Sequence, residues 1–348
     1  MAALAASTGR VRQVQGEVAR HSGATLPLWW LAWLLLALVV GLRFEVGGDW
    51  FNYFRYIWMV QSQSLGQVLA MSDPGYMLFN WLGVQSGWGI YMVNLLCALV
   101  FVAGLVVFCR AQPRPALALV IAIPYLVLVL GMGYTRQGVA LGLGMIGLVS
   151  LVRGSTLWFV FWVVLAATFH KSAVLLIPVA ALAASKNKYW TVAWVSVAAL
   201  LAYAVLLEDE VEALYANYVL AEYQSQGALI RLLMNAVPAA LFLLYRKRFR
   251  FSSEEHKLWL WISLISLLML VLLAVSSSST AVDRVALYFL PLQLVIFSRL
   301  PEVLGSWSKS NQSWVLLVIA YYGLVQFVWL NFANHAYAWL PYKFAPFQ

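Results

Sequence analysis

The chain has 348 residues, of which 64% are hydrophobic and only 10% charged, and 22 Lys and Arg against 13 Asp and Glu give a net charge of +9. A soluble domain carries about 25% charged residues, so this composition, with a mean hydropathy of +0.83, excludes one and indicates an all-α polytopic membrane protein. A transmembrane barrel is excluded too, because alternating segments of about ten residues are absent from the sequence.

Residues 1–25 read as a basic cytoplasmic tail, and 26–348 as a single transmembrane domain. The tail shows no small-residue cleavage site behind a short apolar stretch, so no cleaved signal peptide is expected. Apolar runs near 28–42, 89–109, 115–132, 137–152, 156–170, 172–184, 190–207, 228–245, 257–275, 284–299 and 313–331 predict about 11 transmembrane helices. The first is expected to remain as a signal anchor. Several are shorter than the roughly 20 residues a helix needs to cross, so their ends extend into the flanks. Residues 73–86 are apolar but too short to cross. They are expected to form a re-entrant or interfacial helix on the outer side, with Pro74 in its first turn and Asp73 as its N-cap. Irregular backbone at membrane depth needs protein or water around it, which implies a cavity beside this segment.

Two long outer loops are expected, 43–73 and 208–227. The second opens on the acid run Glu208–Glu212 and continues with aromatics at helical spacing. It reads as an amphipathic helix lying at the interface, its acids a solvated face rather than a metal site. Cys97 and Cys109 fall in one apolar run and carry no information on redox compartment.

Alternating the spans from a cytoplasmic N-terminus places 15 of the 22 basic residues inside. The inner segments then carry a net +11 and the outer segments −2. This is the positive-inside pattern, with Arg246–Arg250 as a topology anchor rather than a nucleic-acid patch. The C-terminus falls on the periplasmic side.

The stretch Arg43-Phe-Glu-Val-Gly-Gly-Asp49-Trp-Phe-Asn-Tyr53 is the most distinctive part of the chain. Charge at a membrane boundary is costly unless it is wet, paired or bound to a ligand, which makes it a functional candidate. Other polar residues gather at the predicted outer ends of different spans: Arg136, Gln137, His170, Lys171, Arg231, Asp283, Arg284 and Tyr288. In a bundle they can converge on one cavity, and several cations there suit a diphosphate, to which Arg presents a planar fork of donors. Arg136 precedes a glycine-rich helix whose N-terminal end favours an anion. The competing reading is a boundary arginine reaching to lipid headgroups. Asp283-Arg284 reads equally as a local ion pair. No zinc-type spacing, Walker-type loop or Gly-x-Ser-x-Gly elbow occurs.

The chain resembles the EpsG family of Wzy-type polysaccharide polymerases. The matching elements are Arg43…Gly47-Gly48-Asp49…Tyr53, Asp73-Pro74-Gly75-Tyr76, Arg136-Gln137-Gly138-Val139-Ala140, Phe169-His170-Lys171-Ser172-Ala173 and Asp283-Arg284…Tyr288, in that order. The resemblance implies a GT-C-like helical bundle in the bacterial inner membrane with its active site facing the periplasm. The implied reaction joins repeat units carried on undecaprenyl diphosphate, as both donor and acceptor, with no cofactor, metal or nucleic acid. A flippase and a chain-length regulator are the implied partners. Arg136 and Arg284, with Arg43 and Lys171, are expected on the diphosphate. Asp49 or His170 is expected to be the base, and Tyr53, Gln137, Asp283 and Tyr288 complete the substrate-binding set. Rival readings are a lipid-linked oligosaccharide flippase, an O-antigen ligase-like glycosyltransferase and a membrane O-acyltransferase. The first is disfavoured because the charges keep to the outer ends of the spans.

Overall fold

The computed structural model describes residues 26–183, 227–276 and 279–348, with isolated positions 189, 193, 196 and 197. The predicted span 190–207 and loop 208–227 therefore lie, apart from Gly227 and those isolated positions, outside the described residues. Among the described residues the fold is all-helical, with one isolated antiparallel bridge between Arg43 and Phe344.

Fourteen α-helices are described: α1 (Leu26–Gly41), α2 (Phe54–Val60), α3 (Leu65–Leu69), α4 (Pro74–Gln85), α5 (Ile90–Arg110), α6 (Pro115–Ala122), α7 (Thr135–Val152), α8 (Thr156–Ala167), α9 (Leu176–Ala183), α10 (Ala228–Tyr245), α11 (Ser253–Val275), α12 (Ser279–Ala286), α13 (Pro291–Leu304) and α14 (Gln312–Phe332). Five of them, α5, α7, α10, α11 and α14, are long and apolar enough to cross a membrane. A sixth span follows if the pair Val282–Phe289 and Pro291–Leu304, bent by 41°, is counted as one. This is a multi-pass membrane protein.

Helix boundaries depart from the expected ones where local chemistry sets them. α11 begins at Ser253 rather than 257 because Ser252 and Glu255 form a capping box, each side chain bonded to the other's backbone N–H. The run 115–132 is one helical rod in two windings, α6 and a π-helical stretch from Ile123 to Gly131 that contains Pro124. Such π stretches often mark functional sites. The stretch 43–73 is not a loop: it holds a 3-10 turn at Phe51–Tyr53 and helices α2 and α3.

α5 and α7 form the centre, with α1 against α5 and α8 against α7. Their crossing depends on glycine. A Cβ at Gly142 would lie 2.8 Å from the Phe101 Cα, and Gly104 faces the Gly142 backbone in turn. Small residues that let backbones approach are the usual basis of helix packing in membranes. Gly142→Val is expected to cost about 1–3 kcal/mol through overpacking, read as a lowered unfolding temperature in detergent. A second layer, α10, α11 and α13, packs on this centre through α6 and α9.

The far end of α13 carries a buried charge cluster. Arg114 meets Glu302 at 2.7 Å, and Arg299 donates to Gln112 Oε1 at 2.6 Å. Arg114 and Arg299, which fall among the basic residues of the predicted inner segments, are thus internal ties between helices.

The segment after α14 folds back on the start of the chain. Phe44 N–H donates to Lys343 O at 2.9 Å, Gly47 N–H to Ala338 O at 2.8 Å and Ala345 N–H to Leu42 O at 2.8 Å. Leu42 and Ala345 therefore share a side, and the chain between them crosses an even number of times. Eleven spans satisfy this parity, as do other odd totals.

Candidate active site

A cavity of about 300 Å³ is lined by Asp49, Asn52, Tyr53, Arg55, Tyr56, Tyr134, Arg136, Gln137, His170 and Arg284. Its wall comes from four places far apart in sequence: the turn and helix after α1, the start of α7, the turn after α8, and the last turn of α12.

Glycine brings the first two together. Gly47 has φ +109°, and any Cβ there would meet the Met132 carbonyl, so only glycine lets this turn lie on the backbone just before α7. Asp49 then projects into the cavity and accepts from Asn52 Nδ2 at 3.3 Å. Asp49, Asn52, Tyr53 and Tyr56 follow at helical spacing, which places them on one face. Tyr53 accepts from the Thr135 N–H at 3.0 Å, satisfying an otherwise open amide at the start of α7. Burial and then the charge of Asp49 push the Tyr53 hydroxyl up to about 12, so it stays protonated.

Arg43 is a hub behind the wall, and this corrects its expected role on the diphosphate. It is fully buried. Its guanidinium donates to Val40 O at 2.6 Å, Val46 O at 3.0 Å, Asn94 Oδ1 at 3.1 Å and Thr135 Oγ1 at 2.9 Å. It joins the end of α1, α5 and the first residue of α7.

Arg136 pairs with Asp73 at 2.7 Å. Asp73 does stand at the N-cap position of α4, with φ +53°, but its side chain makes no cap bond. That corrects the expected cap, since the carboxylate turns to Arg136 instead. Asp is among the few non-glycine residues that visit this left-handed region. Pro74 opens α4 as expected. Gly75 N–H donates to Thr168 O at 2.9 Å, and a Cβ on Gly75 would lie 2.5 Å from Thr168 Oγ1 and 2.9 Å from the Phe169 ring. The start of α4 thus holds Arg136 on one side and clamps the turn carrying His170 on the other. Gly75→Val is expected to remove most activity while the protein still inserts, checked by glycan size alongside membrane yield. Asp73 through Arg136, and Asn94 through Arg43 and Thr135, both reach the first turn of α7. The 73–90 segment therefore starts and finishes at one end of the bundle, beside the cavity.

His170 follows α8 in extended backbone. Ser172 Oγ lies 2.6 Å from its Nδ1 and donates to the Tyr288 hydroxyl at 3.2 Å. Ser172 thus engages Nδ1 and fixes the ring, with the donor and acceptor roles set by the imidazole tautomer. Tyr288 is buried behind His170 and outside the cavity lining, so it orients the imidazole and does not form part of the wall. Lys171, next to His170, is also outside the lining.

Arg284 stacks its guanidinium 4.4 Å above the Tyr134 ring. Gln137 Nε2 donates to the Arg284 carbonyl at 2.7 Å, and the Arg284 guanidinium reaches Gln137 Oε1 at 3.4 Å. Asp283 does not pair with its neighbour Arg284. It takes a two-pronged bond from Arg231 at 2.7 and 2.8 Å, which corrects both the expected local pair and its place on substrate. Arg55 and Arg136 both lie over Tyr56, at 4.8 and 4.9 Å from the ring centre. The cavity aromatics Tyr56 and Tyr134 thus serve as platforms for cations.

Of the expected site residues, Asp49, Tyr53, Arg136, Gln137, His170 and Arg284 converge on the cavity, while Arg43, Lys171, Asp283 and Tyr288 do not. Asn52, Arg55, Tyr56 and Tyr134 were not among them. Asn52 and Tyr56 were legible as the polar and aromatic residues that continue the face of Asp49.

The model of the EpsG family matches residues 27–344. No curated protein and no solved structure matches the chain.

Proposed function

The chain belongs to the EpsG family, a Wzy-type polymerase family, and on that premise we propose that it polymerises oligosaccharide repeat units carried on undecaprenyl diphosphate at the periplasmic face of the bacterial inner membrane. Three guanidiniums around one carboxylate in the cavity wall are the observation that carries this reading. The leaving group is a diphosphate, and the wall offers cations where its charge develops. Preorganised charge of that kind is usually the largest contribution to catalysis.

In the proposed step, an acceptor hydroxyl oxygen attacks the anomeric carbon of the donor. A new C–O bond forms as the bond to the diphosphate oxygen breaks, and that electron pair leaves with undecaprenyl diphosphate. The hydroxyl proton passes to Asp49, the one carboxylate among the described lining residues. Arg284, Arg136 and Arg55 hold the diphosphate. His170 Nε2 accepts a hydrogen bond from a sugar hydroxyl and orients it. One displacement inverts the anomeric configuration.

Deleting the gene in its host is expected to abolish long surface chains and leave single repeat units at the surface. Wild type restores the chains and Arg136→Ala does not. Loss of single repeats as well would assign the chain to translocation, and unchanged chains would overturn the reading.

A further inference from the structure

Arg231 is a cation at the same end of the bundle as the cavity, yet it is not part of the cavity wall. Its guanidinium is spent on Asp283, in a bidentate pair whose side chains are 14% and 5% exposed. Its partner, however, is the residue next to Arg284.

α12 is an eight-residue helix, too short to be stable alone, and Arg284 sits in its last turn. Three side chains hold it. Arg231 grips Asp283, Asn235 Nδ2 donates to Ala286 O at 2.8 Å, and Gln137 Nε2 donates to Arg284 O at 2.7 Å. The last two satisfy carbonyls that a helix C-terminus leaves open. Arg231 and Asn235 are four residues apart on α10 and share a face, so α10 grips α12 at two points one turn apart. Asn235 is fixed in turn, accepting from Gln293 Nε2 at 3.2 Å, while Gln293 Oε1 accepts from Tyr322 Oη at 2.9 Å. Adjacent residues on a helix point about 100° apart. Anchoring Asp283 towards α10 therefore leaves Arg284 facing Tyr134 and the cavity.

We propose that Arg231 and Asp283 are positioning residues that set the rotation of α12 and so hold the Arg284 guanidinium in the cavity wall. The inference rests on the reading of the cavity as a diphosphate site, and deepens it by adding two residues that never touch substrate.

The test uses the full chain in lipid nanodiscs with undecaprenyl diphosphate as the probe. Arg231→Leu is expected to weaken binding roughly tenfold, a coupling typical of residues in direct contact. The exchanged pair, Arg231→Asp with Asp283→Arg, restores most of it. In an Arg284→Ala background, Arg231→Leu adds no further loss, because its effect runs through Arg284. Should Arg231→Leu fail to fold, Asp283→Asn keeps the shape and removes the charge, and the same comparison is made with it. An additive loss in the Arg284→Ala background, or unchanged binding by both single variants, overturns the inference. Amide hydrogen exchange over 279–289 separates the two claims, since it needs no ligand. Faster exchange in Arg231→Leu that the exchanged pair reverses supports the positioning role. If wild type shows that exchange pattern but does not bind undecaprenyl diphosphate, the cavity reading fails and the positioning role stands.

Discussion

Asp49→Asn is expected to slow polymerisation by about 10²–10⁴, the usual contribution of a general base, with the affinity for undecaprenyl diphosphate unchanged. The substitution keeps the shape of the side chain and removes its negative charge and its ability to take a proton. Asp49 is positioned without help from the phosphate-side cations, by the Gly47 turn and by Asn52. Turnover of a purified lipid-linked repeat unit in liposomes is the measurement. If Asp49→Asn retains the wild-type rate and His170→Asn does not, the base is His170. NMR of the product linkage is a second check, because retention of the donor configuration would contradict a single displacement.

Arg284→Ala is expected to lower kcat by about 10²–10³, the cost of losing one donor to a developing oxyanion. Arg284→Lys should recover little of it. The guanidinium lies over Tyr134 and reaches Gln137 Oε1 through one N–H at 3.4 Å, and a compact, strongly hydrated lysine ammonium is a poor substitute for the stacked guanidinium. The measurement is single-turnover transfer at saturating donor, which separates the chemical step from binding. Equal activity of the lysine variant would mean that Arg284 contributes charge alone.

Much of this architecture is written in hydropathy. Most of the apolar runs from 28–42 to 313–331 that fall on described residues coincide with helices, but 284–299 straddles α12, a 3-10 turn and α13, which are bent by 41°. The stretch 43–73 was harder, because Phe54–Val60 carries aromatics all round and hides its period, while the polar face Asp49, Asn52, Tyr53 and Tyr56 straddles the 3-10 turn before it. Charge at a boundary singled out Asp49, Arg136 and Arg284, which line the cavity. It could not say which cations face the cavity, because that depends on partners far away in the chain. Arg43 finds its oxygens on α5 and α7, and Asp283 finds Arg231 rather than its own neighbour. His170 and Lys171 are adjacent in sequence, yet extended backbone sends neighbouring side chains to opposite sides. The glycines of the helix after Arg136 looked like a phosphate cradle. Gly142 instead admits Phe101, and Gly133, just before that helix, admits the ring of Trp339.

The Trp339 contact ties the site to the order in which the protein is made. Trp339 Nε1–H donates to Leu128 O at 2.7 Å, and its ring lies against Gly133 and Gly48. Residues 338–345 also carry the backbone bonds to Leu42, Phe44 and Gly47. The turn that presents Asp49 thus leaves the ribosome among the first parts of the membrane domain and receives its bracing from residues made after α14. During translation the Asp49 turn stands without this bracing, and Arg284 of the wall is itself made late in the chain. The cavity wall is therefore braced in full only once the residues after α14 have been made.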